Sequence, residues 1–242
     1  MFAVLQKRFE PVLADFMASP AMIHLAGGRM TLAEYRSYLK QIYYCVRENP
    51  QLQALAAVYL RGEQRRAVKT FFQHAVSEIG HDQLALNDYI TLGGEADEVP
   101  FKNPLPATTA LTAFAFYQIY NLNPLGYLGY LYFLEFMPTQ AGPVIAGQLA
   151  AIGAPEGATT FLRDHIEIDQ AHNRLMERYA DTLLRTDADV DSVAYAMKTT
   201  GYLYAQVVES AIRDAHANED TGWNWEELRT DRKQAEASAQ VA

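Results

Sequence analysis

The stretch HIEIDQAH, residues 165–172, places a histidine, an aspartate four residues on, and a second histidine three further. On an α-helix each residue turns about 100°, so positions i, i+4 and i+7 fall within about 60° of one another. His165, Asp169 and His172 therefore share one face. Ile166, Ile168, Leu175 and Met176 make part of this helix apolar, while Arg163, Asp164 and Glu167 mark a wet side. Two imidazoles and a carboxylate that turn inward need a partner, because burying unpaired polar groups is costly. A metal ion is one such partner; a solvated helix face is the plain alternative.

A second octet, HAVSEIGH at 74–81, repeats the spacing with His74, Glu78 and His81; the remaining histidines are His24 and His216. Glu78 and His81 form an acid-x-x-His pair, and such pairs on facing helices are how bundle proteins build carboxylate-bridged di-iron or di-manganese sites. Those sites also take a further Glu from each of two more helices. Glu135 suits one role: it is the only charged residue between Lys102 and Glu156, inside GYLGYLYFLEFMP, where a carboxylate needs a cation, a proton or hydrogen bonds from tyrosines. Glu48 in YYCVRENP suits the other, although Arg47 and Lys40 nearby also fit a surface glutamate. The expected ligand set is Glu48, Glu78, His81, Glu135, His165, Asp169 and His172. Mixed carboxylate and imidazole donors favour iron, with manganese as the alternative, over zinc, magnesium or calcium. Two such ions can share the electrons needed to reduce O2.

Around these motifs, apolar residues recur at helical spacing and no stretch alternates with period two, so the chain reads as all-α. Helices are expected at Phe2–Met17; from an N-cap at Thr31, with Glu34 closing a capping box, to a bend at Pro50; and from Gly62 to Leu92, stopped by Gly93-Gly94. Others are expected at about Ala107–Leu122; after Asn123-Pro124, carrying Glu135; from Ala154-Pro155-Glu156 to Leu184; and from Val190 to Ala217. Residues 1–217 form one domain, and 218–242 a polar, frayed tail whose Trp223 and Trp225 dock locally.

Composition narrows the function. The chain has 242 residues, half of them hydrophobic, and a net charge of −9 without a basic cluster. Nucleic acid and membrane partners are therefore disfavoured and a small molecule expected. The apolar run Leu111–Met137 is interrupted by Asn121, Asn123, Pro124 and Glu135 before about 18 clean residues accumulate, so it reads as buried helices. The N-terminus lacks a signal-peptide pattern, and a lone cysteine, Cys45, suits a reducing cytoplasm.

In order along the chain, Glu48, Glu78-x-x-His81, Glu135 and His165-x3-Asp169-x2-His172 resemble the ligand pattern of the haem-oxygenase-like di-iron oxidases and oxygenases, iron-containing redox enzymes with the fold of the thiaminase-like TenA proteins. The resemblance covers about residues 2–217, and the final triad is its most specific part. Ferritin-like bundles normally lack a histidine at the position of His165. It implies a seven-helix haem-oxygenase-like bundle holding two Fe(II) ions with O2 as co-substrate. The implied activity is oxidation of a small amino- or carboxylate-bearing metabolite by C–C cleavage, decarboxylation or N-oxidation. An external electron donor and a homodimer are compatible with it. Glu135 would bridge or cap the metals, and Tyr44, four residues before Glu48, would orient that carboxylate or be oxidised. His74 lies outside the family pattern and reads as a residue near the ligands or a plain core histidine. Tyr117 and Tyr130 are candidates for the substrate pocket, with aromatic packing as their alternative. Two other readings stand: a metal-independent thiaminase-like hydrolase using Cys45 as nucleophile, and a non-enzymatic iron-binding helical protein.

Overall fold

A computed structural model of the chain describes residues 1–97 and 99–217, with the side chains of all of these except 101 and 167–173. Asp169 and His172 thus lie on a described helix, but their side chains lie outside the described residues, as does the whole tail with Trp223 and Trp225. The described residues contain α-helices, one short π-helical segment at Leu25–Arg29, short 3-10 turns and loops, and no strand. The helices are α1 (Phe2–Met17), α2 (Pro20–His24), α3 (Leu32–Val46), α4 (Asn49–Val58), α5 (Val68–Ser77), α6 (His81–Thr91), α7 (Pro106–Asn121), α8 (Tyr127–Ala151), α9 (Thr160–Leu183) and α10 (Asp187–His216).

The expected all-α class holds, but the chain is cut more finely than seven helices. The clearest difference is HAVSEIGH itself. The expected continuous helix from Gly62 to Leu92 breaks after Ser77, and Gly80 adopts φ 100° before α6 begins at His81. Only glycine visits that region readily, so the glycine that periodicity treats as a tolerated interruption is a corner. Glu78 and His81 therefore belong to a turn between two helices.

α10 is the central element, packed by α1, α3, α7 and α8, while α8 also lies against α9 and α3 against α6. α1 buries Leu5, Phe9, Val12 and Phe16, spaced by three and four residues along one face. Phe16 meets Phe133 of α8 edge to face, with ring centroids 5.6 Å apart. α8 buries residues all round its first half, which is why its sequence shows almost no amphipathic pattern. Gly129 lets it approach α10: a Cβ there would stand 2.1 Å from the Val193 carbonyl oxygen. Among the described residues, no helix is long and apolar enough to cross a membrane. The Thr31–Glu34 capping box forms as expected and starts α3.

Candidate metal centre

Three helices and one corner bring the acids and imidazoles together. α5 supplies His74, the α5–α6 corner supplies Glu78 and then His81, α8 supplies Glu135, and α9 supplies His165. His74, Glu78 and Glu135 are all buried, and each offers a donor atom within 4.8 Å of the others'. His74 Nε2 stands 3.3 Å from Glu135 Oε1 and 3.6 Å from Glu78 Oε1. His81 Nδ1, buried without a hydrogen bond, lies 3.6 Å from Glu78 Oε2. The rings of His81 and His165 meet edge to face with centroids 5.1 Å apart.

Surrounding residues aim these groups. The Gln53 amide is hydrogen-bonded to His74 Nδ1 at 3.2 Å and accepts the Tyr127 hydroxyl at 2.9 Å, which leaves Nε2 directed at the two carboxylates. Asp88, fully buried, accepts from Thr160 Oγ1 and from the Phe161 amide, so it caps the start of α9. One turn later the Phe161 carbonyl accepts a hydrogen bond from His165 Nδ1 at 2.7 Å. Fixing the proton on Nδ1 leaves Nε2 with its lone pair, the form in which imidazole binds a metal.

The electrostatics agree with this geometry. Burial, and the neighbouring His81, hold the His165 pKa below its ordinary value, so the ring is neutral near pH 7. Burial also disfavours charge on His74, but its hydrogen bonds with Glu135 and Glu78 outweigh that and raise its pKa to about 9. The Glu78 carboxylate would be raised by burial, yet His74 and His81 pull it well below the usual range. A proton on His74 Nε2 thus lies between the Glu78 and Glu135 carboxyl groups. Replacing that proton with a divalent cation keeps every donor paired, so the residues present fit a metal. Imidazole and carboxylate donors together suit iron or manganese.

Other expected residues fall elsewhere. Glu48 sits at the α3–α4 junction, 30% exposed, its carboxylate 3.1 Å from Arg47 Nε; it is outside the His74–Glu78–Glu135 cluster. Tyr44 is buried, but its hydroxyl donates to the Val99 carbonyl at 2.7 Å and not to Glu48. Tyr130 is buried and donates to Asn49 Oδ1 at 3.1 Å. Tyr117 is 53% exposed, and neither it nor Tyr130 is among the residues that line the cavity beside the cluster. Helical phase alone left that choice open, because α7 is apolar on several sides. Sequence reasoning left His74 beside the ligands rather than among them and missed Gln53 and Asp88. Only the His74-x3-Glu78 spacing signalled any of these.

Glu78, Glu135 and His165 open onto one cavity walled mainly by apolar side chains. Cys45 lines it too, but burial pushes its thiol pKa up to about 12, so it stays a protonated thiol near neutral pH. That is the wrong environment for a nucleophile.

Comparison with known proteins gives a family and a fold. A family described as iron-containing redox enzymes matches residues 36–204. The chain is similar to a domain of unknown function with a heme oxygenase-like fold from Shewanella denitrificans OS217, at 24% identity and a TM-score of 0.84, over 91% of this chain and 95% of that one. A TenA homolog from Pseudomonas syringae pv. tomato DC3000 aligns at 12% identity and TM-score 0.71, over 87% and 92% of the two chains. A CADD-like protein of unknown function from Nostoc punctiforme aligns at 15% identity and TM-score 0.60, over 90% and 97%. At these identities the likeness is one of fold, heme oxygenase-like. No curated protein matches the chain in sequence.

Proposed function

The chain belongs to the family of iron-containing redox enzymes, and from that premise we propose that it is a non-haem oxidoreductase that uses O2 to oxidise a small molecule held in the cavity. One observation carries the reading: His74, Glu78 and Glu135 converge, buried, within 4.8 Å at the wall of a cavity, beside a neutral His165 with its Nε2 available. His81 would join them, and Asp169 and His172, at ligand spacing on α9, would supply the donors for a second ion. Two Fe(II) ions are the proposed complement. Bound iron would supply the one-electron chemistry that O2 requires.

The protein's own part is positional. Glu135 and Glu78, in a site shielded from bulk water, hold negative charge where a cation is attracted strongly. His165 is locked in one tautomer by Phe161, so a metal meets its lone pair without ring rotation. The apolar walls keep water from a substrate lying against Glu135 and His165 and leave its oxidisable end facing the donors. The substrate class proposed is an amino- or carboxylate-bearing metabolite. An external electron donor, a homodimer and a reducing cytoplasmic compartment complete the proposal, the last supported by the lone buried thiol.

Anaerobic loading with Fe(II) followed by metal counting tests it. The wild-type protein should retain iron through desalting. His165→Ala, Glu135→Ala and His74→Ala should each lose most of it, since removing one ligand from such a site commonly costs at least as much as the tenfold to hundredfold loss from an outer partner. Undiminished iron in His165→Ala and Glu135→Ala would refute the site. Iron retention without O2 uptake across a panel of amino and carboxylic acids would favour an iron-binding protein that is not an enzyme.

A further inference from the structure

The cavity runs well beyond the metal cluster, and its remote end is polar. On α3 it is lined by Glu34, Tyr38, Ile42, Cys45 and Val46, which places Glu34 twelve residues, about 18 Å, from Val46. On α8 it is lined from Glu135 to Ile145, about 15 Å of helix. The two helices run in opposite senses along it. Asn49, just past the end of α3, accepts from Tyr130 near the Glu135 end. Gln148, past Ile145, donates to the Ala26 carbonyl close to His24, which is bonded to Glu34. Glu34 and the metal cluster therefore occupy opposite ends.

Glu34 is 1% exposed and is held by three donors. His24 Nε2 and His216 Nε2 both donate to its Oε1, at 2.9 and 2.8 Å, and the Thr31 amide donates to Oε2 at 2.8 Å. A carboxylate offers roughly four acceptor positions, so among the described residues one remains. Glu34 is among the residues that line the cavity, and His24 and His216 are not. Capping α3 requires only the Thr31 contact. A charged group brought to the end of an otherwise apolar cavity calls for a ligand group that completes its hydrogen bonding.

We propose that Glu34 is a second binding subsite, which receives a hydroxyl or ammonium group at the far end of an elongated, mainly apolar substrate whose other end lies at His74, Glu78, Glu135 and His165. This deepens the oxidoreductase reading and rests on it for which end reacts. A compact amino acid could not touch both ends at once.

The probes are straight-chain hydroxamic acids, whose head group seeks iron, each made with a methyl, hydroxyl or amino terminus at equal length. Titration calorimetry of the anaerobic Fe(II)-loaded protein should show the hydroxyl- and amino-ended chains binding about tenfold or more tightly than the methyl-ended one. Glu34→Gln should erase the preference for the amino terminus while iron content stays at the wild-type level. Ile145→Phe, which narrows the remote end without touching the Glu34 hydrogen bonds, should weaken the longest chains and spare the shorter ones. It decides the matter if Glu34→Gln fails to fold. Equal or tighter binding of the methyl-ended chain, or length dependence unaltered by Ile145→Phe, overturns the subsite. The same terminal preference in iron-free protein, at lower affinity, keeps the subsite even if the iron reading fails.

Discussion

Individual residues here take on roles that depend on partners far away in sequence. Glu34 is legible as half of a capping box, but its two imidazole partners are ten and 182 residues away, and nothing local connects His24 or His216 to it. Burial alone would raise the Glu34 pKa, yet hydrogen bonds from His24, His216 and Thr31 bring it below its ordinary value of 4.5. A carboxylate with a depressed folded-state pKa contributes stability that is full above its unfolded pKa and disappears as pH falls through the folded one. The Tm difference between wild type and Glu34→Gln should therefore shrink on acidification below about pH 4.5. A difference that grows there would contradict the assignment. Cys45 leads to the opposite expectation. With its thiol held up to about 12 by burial, Cys45→Ala should leave iron content and O2 uptake within about twofold of wild type, at a stability loss of roughly 1 kcal/mol. Abolished turnover would revive the thiol-based reading. The metal-site histidines divide in the same way: the His165–Asp169–His172 spacing is readable because a helix enforces it. The part played by His74 appears only when α8 brings Glu135 to within 3.3 Å.

At the scale of elements, glycines decide where the ligands go. Gly80 sits at φ 100° with open space around its missing Cβ, so Gly80→Ala meets backbone strain and no clash. The expected loss is about 1 kcal/mol. Glu78 and His81 flank that corner, so iron affinity should fall together with Tm. Gly129→Ala differs, because its Cβ would collide with the Val193 carbonyl and force α8 away from α10. Overpacking of this kind costs about 1–3 kcal/mol, and the displacement carries Glu135 with it. Chemical denaturation with metal counting separates the two: Gly129→Ala should lose more stability than Gly80→Ala, and equal losses would mean that the close α8–α10 contact is not enforced. The helical class, the capping box and the Asn123-Pro124 start were readable because caps and periodicity are local. The α5–α6 corner was not, since a glycine inside an apolar period looks the same whether the helix continues or turns.

For the molecule as a whole, the cavity opposes function to stability. Close packing is the rule in protein interiors, and unfilled space removes contacts that the surrounding side chains would otherwise make. This chain leaves a long apolar void between its metal cluster and Glu34, with Ala141 on its wall, 1% exposed. If the void exists to hold substrate, filling it should stabilise the fold and disable the enzyme. Ala141→Leu adds hydrocarbon on the cavity side of α8 and should raise stability by about 0.5–2 kcal/mol. For a chain of this size that corresponds to a Tm increase of roughly 1–8 °C. The same variant should keep its iron, because Ala141 lies more than a helical turn past Glu135, yet substrate-dependent O2 uptake should fall by an order of magnitude or more. Thermal unfolding, metal counting and oxygen consumption on one preparation decide it. A variant that is less stable, or equally stable and fully active, would show that the void closes in solution and is not the substrate chamber.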